Sequence, residues 1–376
     1  MKAEFISDNL KLAINVLDIA QSHVKSDFAR LKTSLNPETG VIDSAILVAG
    51  DTVVIEHLLP VVSDEEVEFG FPISKLKPIT SDPPAPKVTM VNTETGVKIK
   101  CGSYNAKIVL PLLDACPSFL YNLDCPFKIK SGAQFAAAIR KVKSSIFTDS
   151  AGVKQAARKI IDGVMLVGNG SMLKLYSTDN NRLTRSSIEC ALNESFVIPR
   201  EAVIAAHQLL EEEDTDNVAI GLRYGGQSSA INGFRLIAGT SRLTSGVMAG
   251  KPPTNIEEFF TKELPHHVKI DANNLKKAIS RLRVFSADDS LFIKIDSNTQ
   301  NIHLNTSNQS AGEAADVIIG SDNVGPTRTI SVNATYVLDA IATSTKLLLE
   351  NDQSAIRITH LDCPYNTQHV IGQMRQ

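Results

Sequence analysis

The chain of 376 residues contains no tryptophan, and aromatic residues make up only 5% of it. Proteins that grip single-stranded nucleic acid need aromatic stacking platforms, so this class is not favoured. No run of about eighteen apolar residues, the length of a membrane-spanning helix, is present. Glu4, Asp8 and Asp18 interrupt the N-terminal segment, which would be apolar in a secretory signal peptide. The sequence therefore predicts a cytoplasmic protein with no membrane partner.

Cysteine is scarce and scattered. An odd number of cysteines without a C-x-x-C pair indicates neither a disulfide framework nor a zinc site. We expect all of them to be buried free thiols, and they are Cys101, Cys116, Cys125, Cys190 and Cys363.

Motifs for catalysis are also missing. The segment Gly168 to Leu173 lacks the third glycine of a dinucleotide-binding loop and is typical of a hairpin turn. The histidine and cysteine of the segment His360 to Cys363 have poor spacing for metal ligands, and a packing role is favoured for them. The sequence predicts no enzyme, no cofactor and no metal site.

An internal repeat is the strongest positive signal. A short strand, a polar cap and an amphipathic helix recur, with Leu10, Phe135 and Leu275 as equivalent first apolar helix positions. Each is followed at i+4 and i+7 by two more apolar residues. This spacing predicts the same buried helix face in all three repeats. Ser7 or Asp8, Ser131, and Asp271 or Asn273 are the expected N-caps.

A second amphipathic helix follows in each repeat. With Leu76, Val203 and Val337 taken as equivalent, the separations from the first helix are 66, 68 and 62 residues. Segments of alternating apolar and polar residues with turn signals predict antiparallel hairpins between the helices. The expected fold class is α+β, with three repeats of two helices packed on antiparallel sheet.

Domain boundaries are expected where proline and polar residues gather, at Leu123 to Phe127 and at Phe259 to His267. The predicted domains are 1–126, 127–263 and 264–376, each of ordinary size.

Net charge is −3, but the charges are unevenly distributed. Eight basic residues against one acidic residue lie from Lys128 to Lys159, and five against one lie from Lys269 to Arg283. Acidic residues cluster instead at Ser63 to Glu68 and at Glu211 to Asp216. One basic helix by itself is usually a solvated face.

The two basic helices repeat each other. In the aligned helices Lys141 matches Arg281 and Lys143 matches Arg283, all expected off the buried face. Basic helices without aromatic residues suit the phosphate backbone of duplex DNA, whose contacts carry no sequence information. The duplication favours this interpretation over two unrelated solvated faces.

Three strings of residues resemble one family. They are STDNNRLTRSSI from Ser177, ISVNATYVLDAI from Ile330 and VIGQMRQ from Val370. Together with the threefold repeat, they resemble the bacterial DNA polymerase III beta subunit, the sliding clamp. The resemblance implies a head-to-tail homodimer, a ring of six domains with twelve helices lining a hole around duplex DNA. Polymerase activity would belong only to the complex that such a clamp joins.

The resemblance and the charge pattern together predict which cations face DNA. Lys11, Lys75 and Lys77 of the first repeat are the weaker candidates. The stronger ones are Arg140, Lys141, Lys143, Lys276, Lys277, Arg281 and Arg283. The polar stretch His23 to Leu35 is left open as a DNA contact.

In this family the replicative polymerase, the clamp loader and repair proteins insert a linear peptide into an apolar groove between the second and third domains. The chain has Asn180 and Asn181 where typical members have Gly-His, and Gln373 where they have proline, so its peptide preference is open. By the matching motifs, the resemblance places in the groove Ile161, Thr178, Arg182, Leu183, Pro253, Asn333, Tyr336, Val370, Ile371, Met374 and Arg375. Core packing is the alternative for Leu183, Val370 and Met374.

The resemblance also implies a subunit interface. Its expected apolar contacts are Ile108 and Leu110 on an edge strand of the first domain, against Val284 and Phe285 of the third. Pairing of two edge strands would remove both exposed edges. Two other functions stay open: a clamp-like interaction module outside replication, and an enzyme with an unrecognised site.

Overall fold

The computed structural model describes residues 2–21, 27–93, 95–109, 113–118, 124–146, 162–213, 215–225, 230–248, 255–286, 289–296, 299–308, 312–352, 354–363 and 366–374. Among their helices, none is long and apolar enough to cross a bilayer.

The elements follow the predicted repeat. The first repeat contains β1 (Lys2–Ile6), α1 (Ser7–Gln21), β2 (Phe28–Leu35), β3 (Ile42–Gly50), β4 (Val53–Ser63), β5 (Glu68–Pro72), α2 (Ile73–Ser81), β6 (Lys87–Thr93), β7 (Gly96–Cys101) and β8 (Tyr104–Ile108). The second contains β9 (Phe127–Ile129), α3 (Gly132–Lys143), β10 (Gly163–Gly168), β11 (Met172–Thr178), β12 (Arg182–Glu189), β13 (Ser195–Pro199), α4 (Arg200–Glu212), β14 (Val218–Gly225), β15 (Ala230–Ala238) and β16 (Ser241–Gly246).

The third repeat begins after a short helix, α5 (Glu258–Thr261). It contains β17 (His266–Asp271), α6 (Ala272–Leu282), β18 (Ser290–Ile295), β19 (Asn301–Asn308), β20 (Gly312–Ile319), β21 (Ser321–Val324), β22 (Arg328–Asn333), α7 (Ala334–Ile341), β23 (Lys346–Asn351), β24 (Ala355–His360) and β25 (Gln368–Gly372).

The predicted helix faces are confirmed. The first apolar positions, Leu10, Phe135 and Leu275, are all buried, and so are their partners at i+4 and i+7. Burying such a side chain stabilises the fold by about 1.5–3 kcal/mol. Helices α1, α3 and α6 therefore pack on sheet for the same reason in each repeat.

The N-caps are partly as expected. Ser131 Oγ accepts the Gln134 N–H at 3.3 Å, and Asp271 Oδ1 accepts the Asn274 N–H at 2.8 Å. At the start of α1, the Ser7 hydroxyl donates to the carbonyl of Ala85. The hairpin predicted at Gly168 to Leu173 is confirmed as the turn between β10 and β11, with Gly170 at a φ of 88°.

The chain groups into two compact units, and each takes strands of the middle repeat. The first unit comprises residues 1–136 and 198–247. Its twelve-stranded sheet has the order β8-β7-β6-β1-β4-β16-β15-β14-β9, and β2, β3 and β5 extend it through the β3–β4 pair. Helices α1, α2 and α4 pack on this sheet.

Buried polar contacts reinforce the first unit where β4 pairs with β16. Arg235 on β15 is 1% exposed and donates to Glu56 Oε2 on β4 at 3.1 Å. The Ser241 hydroxyl lies 2.7 Å from His57 Nδ1 and donates to Glu213 Oε1 at the end of α4. Strands of the first and second repeats thus form one continuous sheet.

The second unit comprises residues 137–197 and 248–376. Its nine-stranded sheet has the order β13-β10-β11-β12-β25-β24-β23-β17-β21, and a four-stranded sheet has the order β20-β19-β18-β22. The β12–β25 pair joins strands of the second and third repeats, with Leu183 opposite Val370. The boundaries proposed at residues 126 and 263 stay a prediction.

The cysteines are not uniformly buried. Cys101, Cys116 and Cys190 are buried as expected, whereas Cys125 and Cys363 are half-buried. The prediction of complete burial is therefore wrong for these two, which lie near the ends of their repeats.

Candidate functional site

A cavity of about 770 Å³ opens in the second unit beside the β12–β25 pair. Its walls come from the strand pair, from the turn between β11 and β12, from residues 255–264 and from the start of β24. The lining is Met165, Thr178, Asn180, Asn181, Arg182, Leu183, Asn255, Ile256, Glu258, Phe259, Lys262, Leu264, Asp352, Ser354, Ala355, Arg357, Val370 and Gly372.

The floor of the cavity is apolar because the strand period brings apolar residues to one side. Leu183 and Val370 are directly opposed across the ladder, and both pack against a cluster that includes Met165 and Ile256. An apolar floor with polar groups around its edge is typical of sites that hold apolar side chains of a ligand.

Arg182 forms a fixed edge of the cavity. Its Nε donates to Asp179 at 2.9 Å, and its Nη1 donates to Asp339 at 2.6 Å. The guanidinium carbon lies 4.2 Å from the centre of the Tyr336 ring, a cation–π contact. Two carboxylates and an aromatic face therefore hold this side chain in one position.

The turn beside Arg182 is held by backbone contacts. Asn180 has a φ of 76°, a left-handed conformation that asparagine tolerates better than most residues. The Gly372 N–H donates to the Asn181 carbonyl at 2.8 Å, which ties the turn to β25.

Residues 255–264 form the wall opposite the strands, and Glu257 attaches them to the sheet. Its carboxylate accepts from Lys174 Nζ at 2.8 Å, from Arg185 Nη1 at 2.7 Å and from the Tyr176 hydroxyl. Phe260 packs against the Tyr176 ring and lies under the Arg185 guanidinium. This wall is therefore anchored by charge-assisted hydrogen bonds, which are about twice as strong as neutral ones.

Four residues of the predicted groove line the cavity: Thr178, Arg182, Leu183 and Val370. Four others are described but do not line it. Ile371 is fully buried in the core of the third repeat, and Asn333 caps α7 by accepting the Tyr336 N–H. Tyr336 lies beneath Arg182, and the Met374 N–H donates to the Ser331 carbonyl.

For Ile371 the prediction of a lining role is wrong, because its side chain faces the opposite side of β25 from Val370. Ile161, Pro253 and Arg375 lie outside the described residues. Sequence reasoning missed Met165, Ile256, Phe259 and Leu264, which complete the apolar lining. Phe259 and Leu264 lie in the segment Phe259 to His267, which was interpreted only as a domain boundary.

The predicted DNA-facing cations of the third repeat are exposed. Lys276 and Lys277 lie on the outer face of α6, and Arg281 and Arg283 follow at its end. Arg281 Nε donates to Asp316 at 3.0 Å, and Arg283 Nε donates to Asp289 at 2.6 Å. These hydrogen bonds lower the pKa of both aspartates and partly neutralise both arginines.

The cations of the second repeat differ in exposure. Arg140 is exposed, and Lys143 is half-buried. Lys141 is only 7% exposed, and its Nζ lies 2.9 Å from His360 Nδ1 on β24. The prediction that Lys141 lies off the buried face is therefore wrong, because a strand of the third repeat covers it.

The first-repeat candidates are also unequal. Lys75 is exposed, Lys11 is half-buried, and the exposed Lys77 forms an ion pair with Asp18. Their ability to attract phosphate therefore differs with exposure and pairing.

Lys141 belongs to a buried polar cluster with His360 and His369. His360 Nε2 lies 2.8 Å from the Ala340 carbonyl, so this nitrogen donates and Nδ1 accepts from Lys141. The two imidazole rings lie 5.1 Å apart. Burial lowers the pKa of Lys141 to about 8, and burial followed by the Lys141 charge lowers that of His360 to about 4.

This cluster predicts a loss of stability in acid. His360 has a lower pKa folded than unfolded, so its contribution is complete above pH 6.5 and is lost as the pH falls towards 4. We expect the free energy of unfolding to fall by about 3 kcal/mol more in the native chain than in His360→Gln over this range. Urea denaturation at several pH values measures the difference.

The control for this prediction is His303→Gln, at a half-exposed position on β19. This variant should keep the native pH dependence. A native chain whose stability curve matched that of His360→Gln between pH 6.5 and 4 would contradict the prediction.

Two of the four interface candidates are exposed. Val284 is 76% and Phe285 is 37% exposed, just beyond α6. Ile108, the last residue of β8, is 9% exposed, and its place in a subunit interface stays a prediction. Leu110 lies outside the described residues. Among the described strands, β8 is the last of its sheet, as predicted.

The described residues contain no group of three or more histidine, cysteine, aspartate or glutamate side chains that could hold a metal ion. No catalytic arrangement is assigned to the cavity, whose lysine and two arginines are engaged in ion pairs.

Solved structures of sliding clamps share the fold of this chain. The DNA polymerase III beta subunit from Pseudomonas aeruginosa superposes with a TM-score of 0.84 at 18% identity, covering 100% of both chains. The sliding clamp from Bacillus subtilis superposes with a TM-score of 0.86 at 14% identity, covering 100% of this chain and 99% of that one. The fold of the chain is therefore that of a sliding clamp over its whole length.

Sequence comparisons agree. Residues 258–359 match the family model described as the DNA polymerase III beta subunit, C-terminal domain. The beta sliding clamp of Pseudomonas aeruginosa is 23% identical over 61% of each chain, and that of Haemophilus influenzae is 26% identical over 50% of this chain and 49% of its own. The matches span between about half and three fifths of these curated relatives. The chain is therefore similar to the bacterial DNA polymerase III beta subunits, the beta sliding clamps, in fold along its whole length and in sequence over part of it.

Proposed function

We propose that the chain is a DNA sliding clamp, a non-catalytic processivity factor that encircles duplex DNA and tethers the replicative polymerase. The observation that carries this proposal is the correspondence of its fold with sliding clamps along the whole chain. A role on bacterial chromosomal DNA places it in the cytoplasm.

Enclosure, rather than tight binding, is the proposed means of retention. Two copies would join head to tail, and such a heterologous contact forms a ring when its rotation closes. The exposed edge strand β8 of one copy and the region of Val284 and Phe285 of the other are the proposed contact surfaces. Joining two sheet edges satisfies backbone groups that would otherwise be exposed.

The cations proposed to face DNA are those that the structure leaves exposed or half-buried. Arg140, Lys276 and Lys277 are the leading ones, with Lys143 and Lys75 as further contributors. Arg281 and Arg283 attract phosphate less, because their ion pairs with Asp316 and Asp289 partly neutralise their positive charge. Lys141 is assigned a structural role instead. Weak, sequence-independent attraction of this kind allows sliding.

The cavity beside β12 and β25 is the proposed site for linear peptides of the polymerase, the clamp loader and repair proteins. Its apolar floor of Leu183, Val370 and Met165 fits aliphatic and aromatic anchors, and the fixed Arg182 edge orients the peptide. A few apolar anchors in a preformed pocket are a common mode of peptide capture.

The DNA part of this proposal predicts a change in salt dependence. In Lys276→Glu/Lys277→Glu, loss of two phosphate contacts should lower the slope of log affinity against log salt by about 2. Fluorescence anisotropy with a labelled 30-base-pair duplex, the probe we would use, measures this slope. Lys294→Glu, at an exposed position on β18, is the matched control and should leave the slope unchanged. An unchanged slope in the double variant would remove α6 from the DNA interface.

A further inference from the structure

The charges around the cavity do not balance. Arg182, on the strand side, contacts two carboxylates, those of Asp179 and Asp339. One guanidinium is therefore matched by two anions, and this edge of the cavity carries no spare positive charge.

The other two cations of the lining are also paired. Lys262 Nζ lies 2.6 Å from Asp352, and Arg357 forms two hydrogen bonds of 2.7 Å with Glu350. Arg357 also donates to the carbonyls of Phe260 and Lys262. The three cations of the lining are thus matched by four carboxylates.

Glu258 adds a fifth carboxylate. It is exposed, it lines the same cavity, and it forms no ion pair or hydrogen bond with the side chains that the structure describes. Phe259, its neighbour on α5, lines the cavity as well and is 54% exposed. An open carboxylate and an open aromatic ring therefore stand on one wall.

We propose that the partner peptide carries a lysine or arginine beside its apolar anchor, and that Glu258 and the face of Phe259 select this cation. The inference rests on the proposed function, because it refines the peptide site of the clamp. A guanidinium suits both groups, since it pairs with carboxylates and stacks on aromatic faces. The excess of carboxylates around the cavity disfavours an acidic residue at the same place.

The effect is moderate because Glu258 is exposed. Exposed ion pairs contribute little and are screened by salt. We expect about a three- to five-fold preference for arginine over glutamine at low salt, and at least about a ten-fold preference over glutamate. Both preferences should shrink at 0.5 M NaCl.

The test uses three fluorescein-labelled peptides of ten residues. All have two leucines and one phenylalanine as the apolar anchor and serine elsewhere, and they differ only in arginine, glutamine or glutamate beside the anchor. Anisotropy titration of the full chain gives the three affinities. Glu258→Gln should remove the preference for arginine over glutamine, and Glu258→Lys should reverse the preference for arginine over glutamate. Glu263→Gln, an exposed position outside the lining, is the control and should keep both preferences.

The outcomes separate this inference from the proposed function. If all three peptides bind with equal affinity, or Glu258→Gln retains the full preference, the selection of a cation by Glu258 is wrong while the peptide site stands. If none of the peptides binds at any salt concentration, the peptide site itself is wrong.

Discussion

Replacing Val370 with glutamate is expected to weaken binding of the leucine and phenylalanine peptide by at least about 100-fold. Val370 lies opposite Leu183 at the floor of the cavity and packs against the cluster of Met165 and Ile256. A carboxylate there would lose its water, without a partner, whenever an apolar anchor entered the cavity. That cost is several kcal/mol, and 2.7 kcal/mol already corresponds to about 100-fold in affinity.

The matched control is Leu361→Glu. Leu361 is 45% exposed at the end of β24 and does not line the cavity, so the same change of charge should leave peptide affinity within about two-fold. Circular dichroism and thermal unfolding of both variants establish that each is folded. Equal peptide affinity of Val370→Glu and the native chain would place the peptide elsewhere.

Local sequence patterns were sufficient to predict the buried faces of the helices. The threefold spacing of apolar residues predicted the buried faces of α1, α3 and α6, and burial of Leu10, Phe135 and Leu275 confirms it. A helix face is readable from sequence because the period of 3.6 residues brings i, i+4 and i+7 to one side. The same holds for the Ser131 and Asp271 caps, which act within their own turn.

The burial of Lys141 could not be predicted from the local sequence pattern. Lys141 occupies the same helical register as Arg281, six residues past the first apolar position and roughly 120° from the buried face. Arg281 is exposed beside Asp316, whereas His360 on a distant strand covers Lys141. Because Lys141 lies at the flank of α3, the element that packs beside the helix determines whether its side chain is buried. That neighbour is 219 residues away along the chain.

Only one wall of the cavity could be predicted from the sequence, for a related reason. The strings around Arg182 and Val370 carried the family resemblance and identified one wall. The opposite wall, residues 255–264, overlaps the segment Phe259 to His267, which was interpreted as a boundary because proline and polar residues gather there. Its position depends on Glu257, whose contacts to Tyr176 and Arg185 span more than seventy residues of sequence. The strand pairs β4–β16 and β12–β25, which join strands of different repeats into continuous sheets, could not be predicted either, because their partners are also far apart in sequence.

Retention on DNA that depends on topology tests the central claim most directly. Protomers would be diluted until they dissociate, mixed with nicked circular plasmid and concentrated so that dimers form around the DNA. Gel filtration at 0.3 M NaCl, where surface charge contacts are largely screened, then separates bound from free protein. We expect the protein to co-elute with the circle and to be lost, by at least about 100-fold in half-life, after a single restriction cut. Equal half-lives on circular and linear plasmid would contradict enclosure and leave only ordinary binding.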